Sequence, residues 1–317
     1  MPCPRPRLAN ARAVLCCALA GATPAAWADA RVAITFSDPS GTHAPYYADL
    51  ERVATAAGAD WLARFLTPSS TLTLSVSIGF APIATSTGRS FTSALVGTDN
   101  GGLSLYAEGA AYEVRTGVDP NGAAPDIEFM LGSTGYLQNE LWFDPDPLTR
   151  SAEVPSDRTD AYSVLLHEFG HAFGFNGWRD GLSGMLPGGY ASSFDALVSS
   201  APGAGAASLF FIGAAAVTTY GAPVPLTLGN YAHFGNWLPG SGADLVPDLM
   251  NGLVFYRGTR YGISALDLAV MSDLGLPLQG GIAVVPEPSV SLLLLAGLCL
   301  LAWRCKAIRP REGAQDS

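Results

Sequence analysis

The chain has 317 residues, 49% of them hydrophobic and 14% charged, enough to bury a core as one large domain or two small ones. From Asp29 to Pro286 it carries ten arginines, no lysine and 24 acidic residues, a net of −14. That charge argues against nucleic acid and anionic membrane as partners. It allows calcium, but no motif supports a calcium site. All five cysteines (Cys3, Cys16, Cys17, Cys299, Cys305) lie near the ends, which excludes disulfides and thiolate metal sites from the segment between.

In chain order, residues 1–28 place Arg5, Arg7 and Arg12 before the apolar run "AVLCCALAGA" and then "AWADA". This is the three-part layout of a secretory signal, with small-residue cleavage options after Ala28 or Ala30. "RVAITFS" from Arg31 reads as a strand. His43 in "DPSGTHAPYY" reads as exposed loop, because Pro, Gly and Ser clusters mark loops. The following "APYYADLERVATAAGADWLARFL" has helical apolar spacing. "TLTLSVSIGF" alternates strictly, with Leu72, Leu74, Val76, Ile78 and Phe80 on one face, as a half-buried strand does. "LSLYAEG", "AYEVRTG" and "PDIEFML" read as shorter strands, so this half is an α/β or α+β layer.

"TDAYSVLLHEFGHAFG" reads as a helix capped by Asp160 or Thr159 and ended by Gly174, with Val164, Leu165, Phe169, Ala172 and Phe173 on its buried face. Residues 176–232 are rich in Gly, Ala, Ser and Pro. "ISALDLAVMSDLG" is a second helix, with Ser264 and Asp267 as a capping box and Gly275 as its stop. The expected organisation is a signal at 1–28, one catalytic-type domain at 29–278, a linker at 279–284, a sorting segment at 285–311 and a tail at 312–317.

His167 and His171 share one helix face, with Cβ atoms roughly 6 Å apart, which suits two imidazole nitrogens meeting one zinc at about 2.0–2.1 Å. Glu168 stands beside the first, positioned to take a proton from water rather than to bind metal. A catalytic zinc needs a third protein ligand. Cys is absent from the segment, and the next Glu after Glu168 is Glu287. His43 and His233 are the remaining histidines. His233 sits in "NYAHFGNW", shortly before "DLMNG" with Met250.

With "HEFGHAFGF", "HFGNW" and "DLMNG" in this order, the chain resembles the metzincin metalloproteases. In most of these a third His follows the glycine turn by three residues, where this chain has Gly177. The leishmanolysin-like branch instead inserts a long segment before its third His. The resemblance implies an α+β metzincin-type zincin with a mixed sheet, an active-site helix and a smaller C-terminal subdomain closed by a helix. It implies one catalytic Zn2+ held by His167, His171 and His233, Glu168 as general base, and Met250 as the Met-turn residue. The competitor for third ligand is Asp180 in "GWRDG", since some small metzincins use Asp.

At the other end, Val285-Pro286-Glu287-Pro288, an apolar run from Val290 to Trp303, and Arg304, Lys306, Arg309 and Arg311 resemble the PEP-CTERM sorting signal of exported Gram-negative bacterial proteins. The run is shorter than the roughly 20 residues of a bilayer span. This resemblance implies export and exosortase-type machinery as partners, transient membrane contact, and release to the envelope or extracellular matrix. The expected function is a zinc-dependent endopeptidase acting on a protein or peptide substrate. Its rivals are a matrix or surface scaffold that uses the same fold for binding, and a hydrolase of a non-peptide bond. An intact Glu168 argues against the scaffold, which needs no base.

Overall fold

The computed structural model describes residues 30–68, 71–200, 209–235, 243–253 and 255–280. The secretory-signal and sorting-signal readings lie outside them. Among the described residues no helix is long and apolar enough to cross a membrane.

The architecture is α+β. In order, the elements are β1 (Arg31–Ser37), α1 (Tyr47–Leu62), β2 (Thr73–Ala81), β3 (Ser86–Ser90), β4 (Ser93–Thr98), β5 (Ser104–Glu108), α2 (Gly109–Thr116), β6 (Ile127–Gly132) and α3 (Thr134–Asn139). Then come β7 (Leu141–Trp142), β8 (Thr159–Asp160), α4 (Ala161–Ala172), β9 (Tyr190–Ser192), β10 (Val198–Ser200), β11 (Leu209–Phe211), α5 (Ala214–Tyr220), β12 (Val224–Thr227), β13 (Asn230–Phe234) and α6 (Ala265–Asp273).

The main sheet has the order β1-β2-β6-β3, parallel except for β3, which runs antiparallel along the β6 edge. Alternation in β2 buries Leu74, Val76 and Ile78 beneath α1 and α4. Trp61 of α1 donates its indole N–H to the Leu166 carbonyl of α4 at 2.8 Å, and Phe129 of β6 meets Phe169 edge-on at 4.8 Å. Every residue of α4 is buried. That is the signature of a helix surrounded by protein rather than lying on a surface.

The Gly- and Ala-rich region after α4 is ordered where it is described. β10-β11-β12-β13 form an antiparallel sheet. A chain of aromatic contacts gives it its own core: Phe175 packs on Phe194 (5.4 Å) and Phe234 (5.0 Å), and Phe194 on Phe211 (4.9 Å). α6 carries the expected capping box, and its Asp273 accepts the Ala215 and Ala216 N–H groups, both at 2.9 Å, at the start of α5.

Two expectations need correction. "AYEVRTG" is not a strand: it lies in α2, where Ala110, Ala111 and Val114 form a buried helical face and Gly117, at φ +73°, ends it. Over seven residues the two periodicities are hard to separate. His43 is in a loop but not exposed, since its ring stacks on Phe80 at 4.0 Å and its Nδ1 lies 3.2 Å from Asp38. The end of the described chain packs back on α1. Gln279 donates its backbone N–H to the Arg64 carbonyl (2.8 Å) and its amide to the Phe65 carbonyl (3.1 Å), just beyond that helix.

Candidate metal centre

α4 begins where Asp160 accepts the Ser163 hydroxyl at 2.7 Å and backbone N–H at 3.3 Å, with Arg260 beside the same oxygen at 3.2 Å. It ends at Ala172, and Gly174 just beyond, whose φ of +130° suits glycine, turns the chain away. Between these stops His167 and His171 project from one face. Each imidazole is oriented by its far nitrogen: His167 Nδ1 bonds the Leu249 carbonyl at 2.7 Å, and His171 Nδ1 bonds the Phe175 carbonyl at 2.5 Å. A carbonyl only accepts, so both hydrogens sit on Nδ1 and both Nε2 atoms carry bare lone pairs.

β13 delivers the third ring. The Nε2 atom of His233 lies 3.1 Å from that of His167 and 3.0 Å from that of His171, which are themselves 3.0 Å apart. His233 Nδ1 is buried beside the Asn230 backbone without a hydrogen bond of normal geometry. Two lone-pair nitrogens this close require a proton or a cation among them. The proton is disfavoured at neutral pH. Burial, then the charge of His171, pushes His167 down to about 3, and burial pushes His171 down to about 4. Burial, then the charges of His171 and His167, holds His233 well below its ordinary value. Three neutral imidazoles converging on one point are a donor set fit for a metal ion.

The turn Asp248–Gly252 lies beneath this group. The Phe234 N–H bonds the Met250 carbonyl at 2.9 Å, and the Met250 N–H bonds Asp248 Oδ1 at 3.1 Å. Met250 is fully buried, and a Cβ added at Gly170, between the two α4 histidines, would lie 2.5 Å from its sulfur. Glycine at 170 is therefore what admits the methionine to the underside of the helix.

Glu168 is buried and lines an open cleft of about 990 Å3, as do the three histidines. Its Oε1 accepts the Ser86 hydroxyl at 2.6 Å, and Gly88 of β3 contributes a backbone hydrogen bond. Burial, opposed by these two bonds, pushes its carboxyl up to about 7. Tyr136 stands in the same cleft, its phenol pushed up to about 12 mainly by burial.

Asp180 is elsewhere. Exposed, it accepts the Ser183 N–H and hydroxyl, both at 2.8 Å, within its own turn, and takes no part in the histidine group. Gly177 lines the cleft, and a Cβ there would lie 3.0 Å from Asp195 Oδ1. Sequence reasoning missed Ser86. An isolated serine in "TSTGRS" carries no signal, because its meeting with Glu168 is made by β3 crossing α4. Compared with protein-family models, with curated proteins and with solved structures, the chain finds no match.

Proposed function

We propose that this protein is an exported zinc-dependent endopeptidase of metzincin type. One observation carries the reading: three Nε2 atoms within 3.0–3.1 Å of one another, in the same cleft that Glu168 lines. His167, His171 and His233 would hold the zinc. Three nitrogens leave a position open, which distinguishes a catalytic from a structural site. Zinc bound there supplies Lewis acidity, which acidifies water and polarises a carbonyl. The chain's own part is proton handling and positioning. Glu168, held at Oε1 by Ser86, takes a proton from water and returns it to the leaving amine. A carboxyl raised toward neutrality by burial suits both steps. The edge strand β3, which lines the cleft with Ser86, Thr87 and Gly88, offers backbone groups to an extended peptide. Met250 under Gly170 and the glycine turn at Gly174 add to the metzincin resemblance.

The test is zinc content per chain of the purified full chain beside His233→Ala, with peptide cleavage measured on both. One zinc in the parent, its loss in the variant and cleavage by the parent alone are expected. Equal zinc in both would remove His233 from the site. A zinc-loaded parent that cleaves no protein or peptide across a broad library would favour the scaffold.

A further inference from the structure

Well apart in sequence from the histidine group, the connection from α2 to β6 gathers a second set of oxygens. Glu113 in α2, Asp119 in the following loop and Asp126 just before β6 each present a carboxylate oxygen within 4.8 Å of the other two. Among the described residues none of the three forms an ion pair. Two of them are partly satisfied locally: Asp126 Oδ2 accepts the Ser75 N–H (2.7 Å) and hydroxyl (2.9 Å), and Asp119 Oδ1 accepts the Asn121 and Gly122 N–H groups (both 2.8 Å).

Glu113 differs. It is 8% exposed, and its buried Oε2 has no hydrogen-bond partner. A second orphan lies on the same loop. Asn121 Nδ2 donates to the Ala124 (2.7 Å) and Pro125 (3.1 Å) carbonyls, which fixes the amide's orientation and leaves the buried Oδ1 with no donor. Both orphans are acceptors. A proton on Glu113 would relieve one charge and leave Asn121 Oδ1 unserved. A cation serves acceptors of both kinds.

The donor set also selects the cation. It is all hard oxygen, which suits neither zinc nor any softer metal. Calcium takes about six to eight oxygens in a flexible shell, which suits carboxylates brought together from a helix, a loop and a strand entry, whereas magnesium demands near-ideal octahedral geometry and keeps several of its waters. We propose that Glu113, Asp119 and Asp126 bind one Ca2+, with Asn121 Oδ1 as the neutral ligand nearest in the chain. The ion would clip α2 to β6, and through Asp126 and Ser75 to β2, so it stabilises the sheet that carries β3. It takes no part in the reaction and does not depend on the zinc reading.

The experiment uses the full chain, stripped with EGTA and returned to zinc-containing, calcium-free buffer. Thermal unfolding is then followed as Ca2+ is added. At a hundredfold excess over the dissociation constant, calcium should raise Tm by roughly 5–10 °C. Asp119→Asn, an exposed substitution that leaves the core untouched, should lose most of that shift, and Glu113→Gln should lose it as well. No calcium-dependent shift in the parent would overturn the site. So would a shift of the parent's size in both variants, which would place the ion elsewhere.

Discussion

Replacing Gly170 by alanine should destabilise the protein, although alanine is the better helix former by about 1 kcal/mol. The added Cβ would sit 2.5 Å from Met250 Sδ and 3.1 Å from its Cε, with Trp61 3.5 Å away on another side. Met250 and Trp61 are both fully buried, so neither can swing into solvent. Overpacking of this kind costs about 1–3 kcal/mol, and after the helix gain a net loss of about 1–2 kcal/mol is expected. Met250→Ala alone should cost about 2–5 kcal/mol through its cavity. Adding Gly170→Ala to that variant should then be stabilising by about 1 kcal/mol, because the clash is gone and only the helix preference remains. The sign of one substitution thus inverts with the identity of a residue 80 positions away. Urea unfolding of the four proteins closes the cycle, with an interaction of about 2–3 kcal/mol. The Leu249 carbonyl that orients His167 precedes Met250, so the single variant should also bind zinc about tenfold or more weakly. Equal effects of Gly170→Ala in both backgrounds would refute the close approach of turn and helix.

Three further outcomes are expected. Glu168→Gln should keep its zinc while lowering kcat for a peptide substrate by about 100-fold or more; a variant with parental turnover would end the general-base role. Asp180→Asn should leave zinc content unchanged and cost less than about 1 kcal/mol, since the residue serves only its own exposed turn; zinc loss would return it to the ligand set. Glu108 is buried, and burial pushes its carboxyl up to about 8 despite the Asn176 amide at 3.0 Å. The native state then holds a proton that the unfolded chain releases near 4.5, so stability should fall as pH rises from about 4.5 to 8 and level off above. Glu108→Gln removes that contribution. Its stability relative to the parent, from urea midpoints at pH 5 and 8.5, should rise by up to about 2–4 kcal/mol, and a pH-independent difference would contradict the burial argument.

What could be read from the sequence alone was short-range. The spacing of His167, Glu168 and His171, the Asp160 cap and the Ser264–Asp267 capping box depend on residues three or four apart on one helix, and each is found in α4 or α6. The alternation of β2 likewise states the burial of Leu74, Val76 and Ile78, and fails only at its end, where Gly79 is buried and Phe80 half-buried. Where a segment is too short for its period to speak, as at Ala111–Gly117, the sequence does not separate strand from helix. His233 stands out only by inventory and resemblance, since no local pattern in "NYAHFGNW" points to a partner 62 residues earlier. Its meeting with α4 depends on β12 and β13, on the Phe175–Phe194–Phe211–Phe234 core, and on the Met250 turn bonded to Phe234. Ser86 on Glu168 and the oxygens of Glu113, Asp119 and Asp126 were invisible for the same reason. Helix caps and amphipathic periods are written in neighbouring residues. A site whose members come from different elements exists only once burial of the apolar faces has set how those elements cross.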